Sequence, residues 1–525
     1  MTQVVPYDFE STLDLPDWRQ CISWPITQED CATLFTAILR DYLTLTKDLS
    51  GEERKLAILA AGPFAGLAMT ACEVAVCLSQ QGQYGVEIKS ASAEFDYLSG
   101  KTDLPPPPDT GSIVRFSKPR LPFRRNLQVT SWWTPWHRMP VTIVAPDAVA
   151  VMENSLLIST ARKSTSAIAF KHAGDFMARI RRKVSPPEPD QNLIARARQL
   201  AVAMSEIPDV DADIRSRLET FLVLNYEAFA TVIAGDMARV AKLDGLPAHI
   251  WAGTGAYYPT RLLGLEVMAR GGKVTLFDHG GTHGMANHPE TFAALEMLAC
   301  TEYVMPSERL AQVIRDSPAF DYLAPSHQPT ITGASGEPGF NNLVEWDRPT
   351  GAEAPRRVLY CPSLLMGFRR HAFATVPDAV YLDWTLRLAT LLRALDIQLL
   401  CKPHPEGILK GFQNPIELIA PTSYRMFEQE VATTDVFVFD RANSTAFWKA
   451  LCTDRPVILI TMSPPGFSPP LADLFNKRCT VIEVDFDDRN RPQIDKATLS
   501  RAILNGPTSV DPAQMQALMA ESGAP

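Results

Sequence analysis

A chain of 525 residues, 46% hydrophobic and 21% charged, has room for two or three globular domains with sizeable cores. Its net charge of −9 at pH 7 excludes bulk, charge-driven nucleic-acid binding, which calls for a basic domain. Nine cysteines are scattered without a CxxC pair, and the first residues, MTQVVPYDFESTLDLPDW, lack the basic and apolar regions of a signal peptide. Together these point to a cytoplasmic protein with reduced thiols.

Residues 1–50 read as an N-terminal extension with an amphipathic helix from Thr27 to Thr46. Lys55 to Ala61 is a short apolar run that suits a strand. Gly62-Pro63-Phe64-Ala65-Gly66 would then turn the chain into a helix ending near Gln80. In that βα unit Gly62 would let the backbone approach a ligand, the plain alternative being tight strand–helix packing. The same reading makes the uncharged run 56–72 a strand, turn and helix rather than a membrane span.

After the tract Pro105–Pro108, Arg115, Lys118, Arg120, Arg124 and Arg125 are interleaved with Phe116, Phe123, Trp132, Trp133 and Trp136. Basic residues beside large aromatics suit a membrane surface or a lipid-linked anionic acceptor, or else a solvated loop whose tryptophans fill a core. From Asn192 to Leu243 the apolar spacing is helical. Asp209, Asp211 and Asp213 fall at a helix start, where acidic residues favour the dipole, so no DxD metal site is expected, and no metal elsewhere.

His249 to Thr254 and Lys273 to Phe277 are strands flanking a helix that ends near Arg270. The second strand runs into Asp278-His279-Gly280-Gly281-Thr282-His283-Gly284. Gly280 and Gly281 allow close backbone approach, and the imidazoles titrate near neutral pH. His279, Asp278 beside it and His283 are therefore the candidate bases, while His288, before Pro289, suits a turn.

The stretch 335–357, rich in Gly, Pro, Glu and Asn, reads as a linker between an N-terminal unit, 51–334, and a C-terminal unit, 358–525. The second unit opens with the strand Val358–Cys361 and a loop holding Arg369, Arg370 and His371. The strand Ile397 to Cys401 ends in Lys402-Pro403-His404-Pro405. A further strand, Asp435 to Phe439, leads into Asp440-Arg441-Ala442-Asn443-Ser444-Thr445 and a helix to about Cys452. Alternation of strand and helix predicts the α/β class, with two Rossmann-like, doubly wound domains facing a cleft. Such sheets bind ligands beyond the carboxyl ends of their strands, where His404 and the Ser444/Thr445 pair would form two halves of one phosphate clamp. Lys402 and Asn443 lie beside them, and Glu406 is placed to meet a ribose or base.

The order of these motifs resembles the GT-B glycosyltransferase architecture: a His-Gly loop after an N-terminal strand, a linker, then KPHP and a Ser/Thr pair. More narrowly it resembles bacterial surface-carbohydrate transferases, the capsule Kdo transferases and the CDP-glycerol glycerophosphotransferases. ANST stands where that family has a pair of serines, and DHGGTHG carries an additional histidine.

The resemblance implies an inverting transferase without cofactor or metal. Its donor would be a nucleotide-sugar, a CMP-linked acidic sugar first, and its acceptor a carbohydrate, a lipid-linked molecule or a protein. It also implies peripheral contact at the inner membrane face. His279, Asp278 or His283 would face the acceptor, with the His404 and Ser444/Thr445 elements on the nucleotide phosphate. A nucleotide-sugar epimerase, a glycerophosphotransferase and a non-catalytic sugar-binding protein are the rival readings on the same scaffold.

Overall fold

Short runs of branched and aromatic residues set the architecture. Val-Phe-Val-Phe (436–439) and Val-Ile-Leu-Ile-Thr (457–461) are buried along their whole length, as parallel strands covered on both faces must be. The computed structural model describes residues 3–15, 17–111, 147–166, 168–185, 188, 190–280, 283–341, 355–365, 376–404, 413–442, 444–462 and 466–519.

A small parallel pair, β1 (Gln3–Pro6) with β2 (Val86–Lys89), precedes the main sheets. The first main sheet contains β3 (Ala148–Met152), β4 (Ile168–Phe170), β5 (His249–Ala252), β6 (Lys273–Phe277), β7 (Glu302–Met305) and β8 (Thr330–Gly333). These are parallel, in the order β4-β3-β5-β6-β7-β8. The second contains β9 (Arg356–Cys361), β10 (Ile397–Cys401), β11 (Val436–Phe439), β12 (Val457–Thr461) and β13 (Thr480–Glu483), parallel in the order β10-β9-β11-β12-β13. Each sheet reverses its winding beside its first strand, between β3 and β5 and between β9 and β11. Such reversals open a crevice at the carboxyl ends of the strands. The expected α/β class with two Rossmann-like sheets is the observed one.

The reading of Lys55–Gln80 as a strand, turn and helix is corrected. Gly51–Gln80 is one helix of 30 residues, with Pro63 inside it. An apolar run of seven residues fits a strand or a buried helix equally, and Gly-Pro tipped the choice the wrong way. Proline removes a backbone donor and presses on the preceding turn. Pro63 leaves Leu59 O without its amide donor, and the two carbonyls before it take bonds from outside the helix: Tyr42 donates its hydroxyl to Ala57 O (2.7 Å) and Arg261 donates Nη1 to Ile58 O (2.6 Å). Gly62 is thus a helix residue whose Cα faces Leu295, not part of a ligand loop.

Gly51–Gln80 and Ala212–Ala241 are both long and apolar enough to cross a membrane, yet 89% and 61% of their apolar windows are buried inside the protein. They pack on each other and on Gln191–Ser205, with Phe64 stacked on Tyr226 at 3.6 Å between ring centres. The helix expected from Thr27 runs Gln28–Thr46, with the Thr27 hydroxyl accepting from Asp30 N. Asp211 is the N-cap residue of Ala212–Ala241 and Asp213 lies in its first turn, where negative charge meets the positive end of the dipole.

Residues near the N-terminus bind to the second unit. Trp24 N donates to Arg489 O (2.9 Å), Asn490 Nδ2 donates to Trp24 O (2.7 Å), and Arg19 pairs with the buried Asp383 at 3.1 Å. Within 335–341, read as the start of a linker, Glu337 and Phe340 are buried, and Glu337 N donates to Met519 O (2.7 Å).

Candidate active site

The His-Gly loop begins where β6 ends. Asn154, just after β3, donates Nδ2 to the carbonyls of Gly253 (3.0 Å), Phe277 (3.1 Å) and Asp278 (2.9 Å). Its Oδ1 accepts from Leu157 N and caps the helix Ser155–Lys163. One asparagine thereby ties the ends of β3, β5 and β6 across the reversal of the first sheet. Asp278, a candidate base, is 0% exposed and accepts from the Tyr303 hydroxyl at 3.2 Å. Buried at the strand end, it is the less accessible of the two neighbouring candidates Asp278 and His279.

His279 is the exposed imidazole of the loop, with its side chain 48% accessible. Its Nδ1 stands 3.9 Å from Oε1 of Glu296, a carboxylate only 1% exposed. Glu296 also accepts from the Thr254 hydroxyl (2.7 Å) and from Gly255 N (2.6 Å). Gly255 allows this approach because any Cβ there would meet Leu295 O at 2.9 Å.

The buried Arg261 locks the same corner, donating to Gly255 O, Ala294 O and Leu295 O, and its charge faces Glu296. Burial pulls the Arg261 guanidinium down to about 10, still charged at neutral pH. His283 packs against Phe292 (4.8 Å between ring centres) and Tyr303 (6.4 Å). Burial, with the neighbouring imidazoles of His279 and His288, pushes this half-buried histidine below the ordinary range. Of the three candidate bases, His279 is the exposed one.

The second crevice lies at the reversal between β9 and β11. A cavity of about 490 Å³ is lined by Lys402, His404, Arg441, Ser444 and Thr445, together with Arg425 and the carboxylate-bearing Glu428. Asp440, 2% exposed, pins its floor by accepting from the hydroxyls of Tyr360 (2.7 Å) and Tyr381 (2.8 Å) and from Ser363 N (3.3 Å). Burial raises the Asp440 carboxyl above the usual range. The Arg441 guanidinium lies over the Tyr381 ring at 4.7 Å.

Ser444 is the N-cap of Thr445–Leu451, its hydroxyl oxygen accepting from Phe447 N at 3.1 Å. That helix has only seven residues, so positive charge in the cavity comes chiefly from side chains rather than from the helix end.

The two edges meet at the candidate residues. A Cβ on Gly280 would stand 2.5 Å from Thr445 Oγ1. Asn287 N donates to Gly466 O (2.6 Å), and Ser468 N donates to Met285 O (2.8 Å). The segment after His283 is thus fastened to the second unit by backbone hydrogen bonds.

The structure therefore brings His404, Lys402, Ser444 and Thr445 onto one cavity and sets Gly280, the residue after His279, against Thr445. Gly281, Glu406 and Asn443 lie outside the described residues, as do Arg369, Arg370, His371 and the basic–aromatic stretch 115–136. Three contributors were missed from sequence. Glu296 could have been suspected as a lone carboxylate within Ala-Ala-Leu-Glu-Met-Leu-Ala (293–299). Arg441 carried no signal beyond its place after a strand. Glu337, 4% exposed and hydrogen-bonded to Ser155, has its carboxyl raised by burial, and its Gly-Pro surroundings masked it as linker.

No family model matches the chain, and no curated protein does either. Among solved structures it is similar to Arabidopsis thaliana UGT89C1, at 10% identity over 71% of this chain and 92% of that one, with a TM-score of 0.35. It is also similar to a ugt transferase from Siraitia grosvenorii in complex with UDP, at 11% identity over 68% and 91% of the two chains, with a TM-score of 0.33. Likenesses this slight carry no weight for the chemistry.

Proposed function

We propose that the chain is a glycosyltransferase that holds the phosphate of a nucleotide-activated sugar in the second crevice and the acceptor hydroxyl at His279. One observation carries the reading. Lys402, His404, Arg441, Ser444 and Thr445 line a single cavity at a sheet reversal, and Gly280, the residue after His279, packs against Thr445. A cavity of about 490 Å³ is of the size that small-ligand sites commonly have.

His279 takes the acceptor's O–H proton on Nε2, while Nδ1 faces Glu296, whose negative charge stabilises the imidazolium that forms. The acceptor oxygen then bonds to the anomeric carbon, and the bond from that carbon to the donor phosphate oxygen breaks, its electron pair leaving with the phosphate. Lys402 and Arg441 supply positive charge to that phosphate, and His404, Ser444 and Thr445 supply hydrogen bonds. Attack by the acceptor from the face opposite the leaving phosphate would invert the anomeric centre in a single displacement. Two side-chain cations do the charge work for which other transferases recruit a divalent ion.

A CMP-linked acidic sugar is the first donor to try, with CDP-, UDP- and GDP-linked donors and CDP-glycerol beside it. Surface-carbohydrate, lipid-linked and protein acceptors are the acceptor classes, met in the cytoplasm or at the inner face of the membrane. The test is transfer and hydrolysis across that donor panel. Conversion of a donor sugar with no acceptor would favour the epimerase. Absence of turnover, with binding of free sugar alone, would favour a sugar-binding protein.

A further inference from the structure

We propose that His279, His283 and Glu296 form a site for one divalent transition metal of the zinc type, and that filling it takes His279 out of action as a base. One ring nitrogen from each histidine and one carboxylate oxygen lie within 4.8 Å of one another. The two imidazoles sit edge to face with ring centres 5.8 Å apart, and His279 Nδ1 is 3.9 Å from Glu296 Oε1. Around a tetrahedral zinc such atoms stand about 3.3 Å apart, given metal–ligand lengths of about 2.0–2.1 Å. No pair has to close by more than about 1.5 Å, and His279 is the half-exposed partner.

The donor set selects the metal. Two imidazoles with a carboxylate suit zinc and its neighbours rather than magnesium or calcium, which prefer oxygen ligands. The ligands have different supports. Glu296 is held by Thr254 and Gly255 and faces the buried Arg261, and His283 is wedged against Phe292 and Tyr303. Two of the three ligands are thus held by their neighbours, and the third is half-exposed. Of the site's residues, His279 is the base of the proposed transfer chemistry and Glu296 stands behind it, while His283 takes no part in it.

The switching half of the inference rests on the transferase reading. A hydrogen on Nδ1, directed at Glu296, leaves Nε2 free to accept a proton. A metal on Nδ1 forces the ring hydrogen onto Nε2, and the same imidazole can no longer act as base. Glu296 thus serves either state, with the proton and the metal competing for one nitrogen.

The experiment uses the full chain stripped with a chelator, then titrated with zinc against a chromophoric competitor, alongside His283→Gln and Glu296→Gln. One equivalent should bind, at least about tenfold more weakly in each variant, with thermal melts confirming that both remain folded. No stoichiometric binding, or equal binding in the folded variants, overturns the site. In parallel, zinc should lower wild-type turnover at least tenfold and EDTA should restore it. Turnover abolished by EDTA and restored by zinc overturns the switch. Zinc binding without transfer from any donor removes the transferase reading and leaves the site. Transfer without zinc binding does the reverse.

Discussion

Gly280 of the first unit packs directly against Thr445 of the second: its Cα has φ +76°, and a Cβ there would come within 2.5 Å of Thr445 Oγ1. Gly280→Ala therefore combines a left-handed backbone, at about 1–2 kcal/mol, with a contact that neither side can widen freely. It should lower the melting temperature and cut turnover at least tenfold. Thr445→Ala in the same chain should return part of the lost stability by removing the opposing hydroxyl. Melting the four proteins of the cycle checks this, since strictly additive losses would mean that the two residues do not touch.

His404 and Lys402 are proposed to act on the leaving phosphate, so their loss should appear in kcat more than in KM for the donor. A fall of about 10²–10³ in kcat is expected for His404→Ala, the scale seen when one transition-state donor is removed. Lys402→Met should lower kcat in the same direction. Steady-state kinetics with a varied donor decide the matter. A His404→Ala enzyme with wild-type kcat and only a raised KM would assign the residue to ground-state binding.

Removing the base should cost more than removing its neighbours. His279→Ala is expected to lose about 10²–10⁴ in kcat. Asp278→Asn, by contrast, should keep turnover within a few-fold and lose stability, because that side chain bears on Tyr303 inside the protein. Pairing kcat with urea midpoints separates the two effects. A catalytic collapse in Asp278→Asn at unchanged stability would favour Asp278 over His279 as the base.

The buried Asp440 predicts a pH dependence of stability. Its folded pKa is raised above the unfolded value of about 3.9, so the folded state holds the proton more tightly over that interval. Its contribution to stability is therefore fully present below the unfolded pKa and is lost as pH rises through the folded one. The stability of wild type relative to Asp440→Asn should fall as pH rises from about 4, then level off. Urea unfolding of both proteins from pH 4 to 8 measures it, and a flat difference would place Asp440 at an ordinary pKa.

Metal removal gives a further check on the charge argument at the phosphate. Turnover by the purified enzyme should survive EDTA unchanged or improve, because Lys402 and Arg441 stay in place when divalent ions are stripped. An assay before and after chelation suffices, and a loss rescued by magnesium would move the phosphate charge from side chains to an ion.

Local pattern alone determined the strands from Lys273 to Phe277 and from Ile397 to Cys401, their polar ends, and the cavity residues 402, 404, 444 and 445. A buried parallel strand is a compact apolar run, and the residues just beyond its carboxyl end lie at the ligand-binding edge of the sheet. Only the tertiary structure decided that Gly51–Gln80 is a helix, since its burial against Gln28–Thr46, Gln191–Ser205 and Ala212–Ala241 outweighs the amide that Pro63 lacks. It alone set Glu296 behind His279, 17 positions further along the chain, and Gly280 against Thr445, 165 positions away. Contacts between residues far apart in the chain depend on how whole helices and sheets dock, and no periodicity within a window of residues encodes that.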